Sequence, residues 1–463
     1  MRKVRKVAGQ RGKKGKKRVD VTANLEILHP NAAGIDVGNA QHYAAVPVGR
    51  DPQPVQTFGS FTADLHRLGQ WLRACKIETV VMQATGVYWI ALYEVLESYG
   101  FKVYVVNAKH TKTLPGRKTD VWECQWLQKL HTFGLLNNSF LPPEEIRVLR
   151  TYLRQRENLV AGAGTCIQQM QKVLTQMNVQ LANVLSDVSG KSGMAILKAI
   201  LSGERDPYRL AALADRRVQA SRQEIAQSLE GHWREDLLFV LRQVHDLYFF
   251  HLDSIAECDG RIEAHLQTLE SKVDLASQPL PEPTPLPHRK HIPQTNLQQE
   301  LYRITGVDLT RIDGIQVQTA QVVLSEIGVD MTRWEDEHHF ASWLGLSPNH
   351  EITGGKVIRR GTKKVLNRAA SALRLAAQTL HHSQSYLGAK YRRLRAKLGA
   401  PKAITAMAHQ LARLIYRLLR FGTQYHDKGM EHYERQYRQN QMNWLKKQAA
   451  QLNMQLVPNT GVA

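Results

Sequence analysis

The sequence predicts an α/β domain followed by a mainly α-helical remainder. Between residues 30 and 136, short apolar runs typical of strands alternate with segments of helical spacing. From residue 146 to residue 177, apolar side chains then recur at spacings of three and four, which is the pattern of a long packed helix. A proline-rich stretch, which favours an extended linker, separates this region from a last helical domain.

The α/β region opens on a predicted β-meander. Its three short strands are expected in AAGIDVG, HYAAVPV and FGSFTA. The chain then predicts, in order, a helix in DLHRLGQWLRAC, a strand in ETVVMQA, a helix in YWIALYEVLESYG, a strand in FKVYVVNA and a helix in TDVWECQWLQKLHTFG. Strands and helices that alternate after an initial meander favour an RNase H-like sheet.

Two long helices are predicted in the middle of the chain. The first follows the apolar seam of residues 146–177, which only Arg156 interrupts, and the second follows a seam at 237–269. With a helical segment between them, they would form an antiparallel arm or a dimer interface. His251 and His265 lie on the second seam and are interpreted as packing residues, because no ligand-spaced partner accompanies them.

Composition divides the chain into six segments. The tail up to Arg18 carries ten Lys and Arg and no acid, and is predicted to be disordered and to contact phosphates, with a merely solubilising tail as the alternative. The last forty residues are polar and are expected to form a loose tail. The predicted segments are a basic tail (1–29), an RNase H-like domain (30–143), a coiled-coil or helical arm (144–277), a proline-rich linker (278–296), a C-terminal helical domain (297–424) and a polar tail (425–463).

Charge restricts the class of partner. The formal net charge is +21 and the pI is about 9.8, which favours a polyanion, nucleic acid first and an anionic membrane second. The sequence contains no run of eighteen apolar residues, so it predicts no membrane-spanning helix. The basic N-terminus lacks the apolar core of a secretory signal. The four cysteines include no CxxC pair, which argues against a zinc site and suits a reducing cytoplasm.

Acidic and polar side chains fall at predicted strand ends and at one helix start. Asp36 ends the strand in GIDVG, where glycines leave room for a divalent metal, and Gln83 ends the strand in VVMQATG. Asp120 and Glu123 lie three residues apart on one helical face and can point at one ion, although Asp120 could equally cap its helix. The combination predicts a divalent-metal site in the α/β sheet.

These motifs resemble those of the DEDD transposases of bacterial insertion sequences, to which Piv-type DNA invertases are related. The resemblance covers residues 30–424 and rests on GIDVGNAQHYAAVPV, VVMQATGVYW, VVNAKHTKTLPGRKTDVWECQWLQKLHTFGLL and WLGLSPNHEITGGK. It implies a RuvC-like N-terminal domain and a C-terminal transposase domain with a nucleophilic serine. It also implies a structured guide RNA, encoded by the element, that selects target and donor DNA.

The resemblance implies roles for five residues. The family's four metal-binding acids, Asp, Glu, Asp and Asp, fall on Asp36, Gln83, Asp120 and Glu123, and its serine falls on Thr353. Three carboxylates, Asp36, Asp120 and Glu123, therefore remain to bind Mg²⁺. Because an amide supplies a dipole and no charge, we expect Gln83 to weaken that binding. The branched Cβ of Thr353 restricts its rotamers and crowds an attack on phosphorus.

Basic side chains surround the predicted nucleophile and continue beyond it. The first cluster, predicted to bind nucleic acid, contains Lys356, Arg359, Arg360, Lys363, Lys364 and Arg368. A second cluster spans residues 390–402. RIDGIQVQTAQVVL resembles a helix-hairpin-helix that offers backbone N–H groups to phosphate, with an ordinary helical turn as the alternative. Four aromatic residues are interpreted as core and not as base-stacking platforms, namely Tyr88, Trp89, Trp122 and Trp126.

Three functions stay open on the sequence. The first is an RNA-guided recombinase that cleaves and rejoins DNA through a Thr353-phosphate ester. The second is a transposase-derived DNA- and RNA-binding protein without cleavage, and the third is a RuvC-like nuclease that uses water in place of the Thr353 hydroxyl. Positions 83 and 353 discriminate among them. The expected setting is the bacterial cytoplasm at the nucleoid, with the chain assembled as a dimer or tetramer through its coiled coil.

Overall fold

The structure, a computed structural model, describes residues 25–107, 119–280, 296–359, 361–363 and 367–457. The predicted basic tail therefore lies outside the described residues up to position 24, and so do most of the proline-rich linker, Arg360 and Lys364. The chain divides between Leu141 and Pro142 into two compact units. No helix that the structure describes is both long enough and apolar enough to span a membrane.

The first unit is built on a mixed five-stranded sheet. β1 and β4 run parallel, as do β4 and β5, whereas β2 is antiparallel to both β1 and β3. The spatial order is β3-β2-β1-β4-β5. The strands are β1 (Ala32–Val37), β2 (Gln41–Ala45), β3 (Val55–Gly59), β4 (Thr79–Gln83) and β5 (Lys102–Val106).

Helices cover both faces of this sheet. Two of them, α1 (Thr62–Ala74) and α2 (Trp89–Ser98), pack with one face of β1 and β4 around a core that includes Ile35, Leu68 and Leu96. The third, α3 (Asp120–Thr132), packs on the other face, where Leu127 joins Val81 of β4 and Val106 of β5. Apolar residues on both faces of β1 and β4 are what a sheet buried between helices requires.

The predicted α/β class and element order agree with this sheet, which is consistent with an RNase H-like domain of a DEDD transposase. The third strand was predicted in FGSFTA, but β3 begins earlier and ends at Gly59. Its pairing with β2 runs from Gln41–Gly59 to Ala45–Val55, so the register of the meander sets its limits. The chain then turns, because the carbonyl of Phe61 accepts the first hydrogen bonds of α1.

The second unit begins with two long antiparallel helices, α4 and α9. The Arg156 guanidinium on α4, which interrupts the predicted seam, donates a 3.1 Å hydrogen bond to Asp259 on α9, so two partly buried charges compensate each other. His265 Nε2 lies 2.7 Å from the carbonyl oxygen of Glu145. The helices are α4 (Glu144–Gln176), α5 (Leu181–Val184), α6 (Lys191–Leu201), α7 (Pro207–Ala212), α8 (Arg222–Ser228) and α9 (Glu235–Thr268).

In the part of the remainder that the structure describes, the regular elements are helices and one hairpin. The helices are α10 (Leu297–Thr305), α11 (Val317–Ile327), α12 (Glu337–Trp343), α13 (Arg368–Thr379), α14 (Tyr386–Leu398), α15 (Ala400–Phe421) and α16 (Gly429–Gln451), and the hairpin pairs β6 (Glu351–Thr353) with β7 (Lys356–Arg359). Arg150 of α4 donates to the carbonyl oxygens of Ser325 and Glu326 at the end of α11. Arg154 binds both carboxylate oxygens of Glu326 at 2.9 and 3.1 Å, so the arm and α11 are joined by charge-assisted bonds.

Two sequence expectations differ from the structure here. The segment that resembles a helix-hairpin-helix has only a 3₁₀ turn (Leu309–Arg311) before its glycine, and a Cβ on Gly314 would come within 2.7 Å of the Ala376 carbonyl oxygen. The glycine turn therefore packs against α13. The C-terminal tail is not loose, since α16 is a helix against α14, where Arg393 lies 3.8 Å over the Tyr437 ring.

Candidate functional site

A glycine in β1 lets α3 lie directly on the sheet. A Cβ on Gly34 would come within 2.3 Å of the Gln128 nitrogen and 2.4 Å of the Cys124 carbonyl oxygen, so any side chain would displace the helix. Asp36 is two residues further along the strand, and side chains two apart share a face. Asp36 therefore faces the same layer as α3.

The start of α3 carries the two acids of the predicted site. Thr119 is the N-cap, because its hydroxyl accepts a 3.3 Å hydrogen bond from the Trp122 backbone nitrogen. Asp120 is therefore the first helical residue and not the cap, which settles the alternative that the sequence left open. Asp120 and Glu123 both lie in the first helical turn, where the helix dipole stabilises negative charge.

The electrostatics of Asp36 show that these acids are close to it. Burial, then the negative charges of Glu123 and Asp120, raise the pKa of Asp36 to about 6, and a backbone hydrogen bond at Val37 opposes them only in part. The negative charges of Glu123 and Asp120 therefore act on the Asp36 carboxylate at the junction of β1 and α3. A divalent cation bound there would relieve that repulsion.

Gln83 lies on the neighbouring strand at the same level. The parallel pairing of β1 with β4 reaches Ile35 and Met82, so Asp36 and Gln83 each follow one residue later at the carboxyl ends of the two strands. Gln83 lies two residues after Val81 and therefore shares the face of β4 that packs against α3, and its side chain is buried. The structure thus brings the amide to the edge of the sheet that carries Asp36.

The donor set fits a hard cation, although the carboxylates are not fully assembled. Within the described ranges, no three His, Cys, Asp or Glu side chains are grouped closely enough to form a complete metal site. Mg²⁺ is usually held by one or two carboxylates together with water and substrate phosphates, so a partial cluster suffices for it. Burial raises the pKa of the neighbouring Cys124 to about 12, which keeps that thiol protonated and unsuited to metal binding.

Thr353 lies on a tight β-hairpin in the second unit. Gly354 and Gly355 have φ values of 57° and 77°, as a two-residue type I′ turn requires. Thr353 pairs with Lys356 and Ile352 pairs with Val357. We expected a glycine-rich basic loop here, and the β-branched residues on both sides of the glycines explain why the chain forms paired strands.

The first basic cluster lies on this hairpin and beyond its base. Lys356, Arg359 and Lys363 are exposed, whereas Arg368 forms an ion pair with Glu157 of α4. The base is closed by a bridge between Pro348 and Thr362 and by a 2.7 Å hydrogen bond from the Asn349 nitrogen to the Gly361 carbonyl oxygen. Exposed cations therefore lie on the hairpin that carries Thr353 and beyond its base, and such cations can contact phosphates.

The second basic cluster is used largely inside the protein. Arg392 donates hydrogen bonds to the carbonyl oxygens of His381 and Ser383, and the Lys390 ammonium donates to Gln410 at 3.2 Å. Arg393 stacks on Tyr437, and Arg395 contacts the His381 ring. The sequence pattern indicated a polyanion surface, but these side chains stabilise α14 against its neighbours. Nothing in local spacing distinguishes the two uses.

The four aromatic residues interpreted as core are not fully buried. Tyr88 is exposed, and Trp89, Trp122 and Trp126 are partly buried. The indole rings of Trp122 and Trp126 stack one helical turn apart, with centroids 5.5 Å apart and planes 11° from parallel. This stacked pair lies on α3 beside the acids, and the apolar spacing from which we inferred a core position reflects that ring contact.

A mixed sheet with helices on both faces, and a carboxylate near the end of its first strand, is consistent with the class of DEDD transposases. A transposase model of the DEDD, IS110 type matches residues 33–179, which include the acid cluster. A second model, described as "Transposase IS116/IS110/IS902 family", matches residues 308–392, which include the Thr353 hairpin. The two matches together cover half of the chain, and the chain belongs to this family of insertion-sequence transposases. No curated protein matches the chain.

Proposed function

We propose that the chain is an RNA-guided recombinase that cuts and rejoins DNA for its own insertion sequence. The observation that supports this most strongly is the convergence of negative charge on Asp36 from Glu123 and Asp120, which raises the Asp36 pKa. Transposases act on DNA, and a net charge of +21 suits two nucleic-acid partners, a DNA and a structured guide RNA. We place this activity in the bacterial cytoplasm, at the nucleoid.

In this proposal, Asp36, Asp120 and Glu123 hold Mg²⁺. The bound ion supplies electrostatic stabilisation of the charge that develops on phosphate oxygens. Gln83 contributes an amide oxygen, a dipole without charge, where the family has its second acid. The three carboxylates keep the cation at the sheet edge, and helix α3 positions two of them through its first turn.

Thr353 is the proposed nucleophile. Its Oγ1 forms a bond to phosphorus while the bond from phosphorus to a DNA oxygen breaks, and the hydroxyl proton leaves to the departing DNA oxygen through solvent. A hydroxyl of a second DNA strand then attacks the phosphothreonine ester and releases Thr353. Lys356, directly across the hairpin, places an ammonium group on the same face as the hydroxyl, where it stabilises the phosphate charge.

The segments take separate roles in the proposal. Residues 30–143 bind metal and DNA, residues 297–424 carry the nucleophile, and residues 1–29 add phosphate contacts of no sequence preference. The arm, residues 144–277, associates with further copies of the chain. Exposed apolar side chains on α9 support that association, namely Phe239, Val240, Leu247, Phe249 and Phe250.

Two departures from the family pattern support a second candidate function. Gln83 removes one of four charges and Thr353 replaces the serine, so a nucleic-acid-binding transposase derivative without cleavage is the alternative. A nuclease that hydrolyses with water is the third. Cognate DNA incubated with the protein, Mg²⁺ and its RNA separates the three, because only the recombinase leaves a DNA fragment covalently bound to protein. Strand cutting without an adduct indicates the nuclease, and binding without cutting indicates the derivative.

A further inference from the structure

The hairpin of Thr353 has two chemically different faces. Side chains alternate along a strand, and cross-strand partners share a face. The pair Thr353–Lys356 therefore lies on one face and the pair Ile352–Val357 on the other. The next cross-strand pair joins Glu351 to Arg359. Ile358 therefore has no partner on the other strand and is the extra residue of a β-bulge.

The second face of this hairpin exposes apolar surface at its tip. Ile352 of this face is 62% exposed and Val357 is 41% exposed, and the bulged Ile358 that follows Val357 in the chain is 69% exposed. The fold of the hairpin does not require isoleucine or valine at these positions, since the Gly354–Gly355 turn sets the strand pairing and threonine has a similar strand preference. Contiguous aliphatic side chains exposed in this way indicate a surface that another molecule covers.

Charge identifies the kind of molecule. Lys356, Arg359 and Lys363 are exposed on the same hairpin and at its base. A partner that covers the hairpin must therefore combine negative charge with apolar surface at short range. DNA does so at an opened base step, where phosphates flank the apolar faces of the bases and aliphatic side chains can be inserted.

We propose that Ile352 and Val357 form an apolar wedge that enters a DNA base step and unstacks it, beside the phosphate that the opposite face of the hairpin engages. The inference rests on the proposed function, because it requires that this hairpin contacts DNA. Unstacking would loosen the backbone at the step where Thr353 attacks. A hairpin that acts in this way should prefer DNA base steps that unstack readily, such as TA.

The test uses the full chain and a short duplex of repeated TA steps in which 2-aminopurine replaces some adenines. Because 2-aminopurine fluoresces more when unstacked, binding of the unaltered protein should raise the fluorescence. The double substitution Ile352→Thr, Val357→Thr should abolish the rise, while keeping β-branched residues in both strands. It should weaken binding about tenfold at every salt concentration, since the lost apolar burial is independent of salt.

Two matched variants separate the wedge from charge and from folding. Lys356→Gln should keep the fluorescence rise and reduce the slope of log K against log salt by about 0.9, the effect of one phosphate contact. Ile352→Val, which retains an apolar β-branched side chain, should keep both signal and affinity. Together these variants assign the salt-independent part of binding to the apolar face.

Three outcomes overturn the inference. One is a double-threonine variant that binds with unchanged affinity and fluorescence rise. Another is a double-threonine variant that binds DNA as the unaltered protein does but differs from it in oligomeric mass in solution. That result would make the apolar face a protein interface. The third is failure of the unaltered protein to bind DNA at any salt concentration. This outcome contradicts the proposed function itself, and the binding measurement on the unaltered protein distinguishes it from the other two.

Discussion

Glu123, in the first turn of α3, lies close enough to Asp36 at the end of β1 for its negative charge to help raise the pKa of Asp36 to about 6. Without a cation this arrangement is unfavourable, because partly buried carboxylates repel one another. Gly34 enforces it by allowing α3 to contact the strand backbone. The site therefore stores electrostatic repulsion that a bound cation would release.

Removing the Asp36 charge should stabilise the metal-free protein. The pKa of Asp36 is raised on folding from its ordinary value of 3.8 to about 6, so the folded state loses stability as pH rises through that window. Asp36→Asn should gain about 1 kcal/mol above pH 6, less than the ~3 kcal/mol of the full shift, because solvent screens a partly exposed carboxylate. Urea unfolding in EDTA at pH 4 and pH 8 measures the difference.

Mg²⁺ should reverse the order of those two proteins. Millimolar Mg²⁺ should stabilise the unaltered protein and leave Asp36→Asn nearly unchanged, because the ion binds only the folded state. Glu94→Gln, which removes an exposed carboxylate on α2, is the matched control and should shift stability by under about 0.5 kcal/mol in both buffers. Equal stabilisation of all three proteins by Mg²⁺ would argue against a metal site at Asp36.

Restoring an acid at position 83 should strengthen metal binding. Gln83→Glu is nearly isosteric and adds a charge beside Asp36, so Mg²⁺ affinity should rise roughly tenfold or more. In EDTA the same change should lower stability, since a fourth like charge joins the cluster. Calorimetric titration with Mg²⁺ and unfolding in EDTA give the two readings. An unchanged Mg²⁺ affinity would place Gln83 outside the metal's reach.

His131 should make the first unit sensitive to acid. It is buried on α3 with Nε2 3.1 Å from the Thr79 hydroxyl, and burial, then the charges of His29 and Lys102, lower its pKa to about 4. The unfolded chain binds this proton near pH 6.5, so stability present above pH 6.5 is lost as pH falls towards 4, by up to about 3 kcal/mol.

Hydrogen exchange of the α3 and β4 amides measures that loss locally, apart from the second unit. Protection should fall steeply between pH 6.5 and 4.5, after correction for the intrinsic exchange rate. His131→Gln should remove most of the fall, whereas substitution of the exposed His232 by Gln should leave it unchanged. A fall of equal steepness in the His131 variant would mean that another group titrates.

Nucleic-acid binding should depend steeply on salt. If six phosphates are neutralised, log K against log salt should have a slope of about −5 for a duplex. Deleting residues 1–18 should weaken binding to all sequences alike, because a basic tail contacts phosphates and not bases. A slope near zero for the full chain would refute the electrostatic argument, and a changed sequence preference in the truncated chain would show that the tail reads bases.

The three acids of the candidate site could be singled out from the sequence because their signals are local. Asp36 follows an apolar run, and Asp120 and Glu123 have helical spacing, so elements and faces could be predicted from neighbouring residues. Gly34 was missed as the residue that lets α3 approach β1, although a glycine inside a strand is a signal of close backbone approach. The capping role of Thr119 was also readable, since threonine directly precedes the helix.

The uses of the basic residues could not be predicted in the same way. Arg392 and Arg393 look like phosphate ligands in sequence, but their partners, His381, Ser383 and Tyr437, are set by how distant helices pack. The ion pair of Arg368 with Glu157 likewise joins positions far apart in the chain. Long-range pairing of this kind leaves no periodic pattern in a single sequence. Net charge could therefore indicate a nucleic-acid partner, but it could not show which basic side chains contact the partner and which pack inside the protein.

The central claim is tested most directly by covalent capture of DNA at Thr353. The measurement is the labelled DNA that stays bound to protein after denaturation, with cognate DNA, Mg²⁺ and the guide RNA, for Gln83→Glu and for the same protein with Thr353→Ala. We predict an adduct from the first, stronger than from the unaltered chain, and none from the second, because the attacking hydroxyl is gone. An equal adduct from both proteins, or none from Gln83→Glu combined with Thr353→Ser while DNA and RNA are bound, would contradict it.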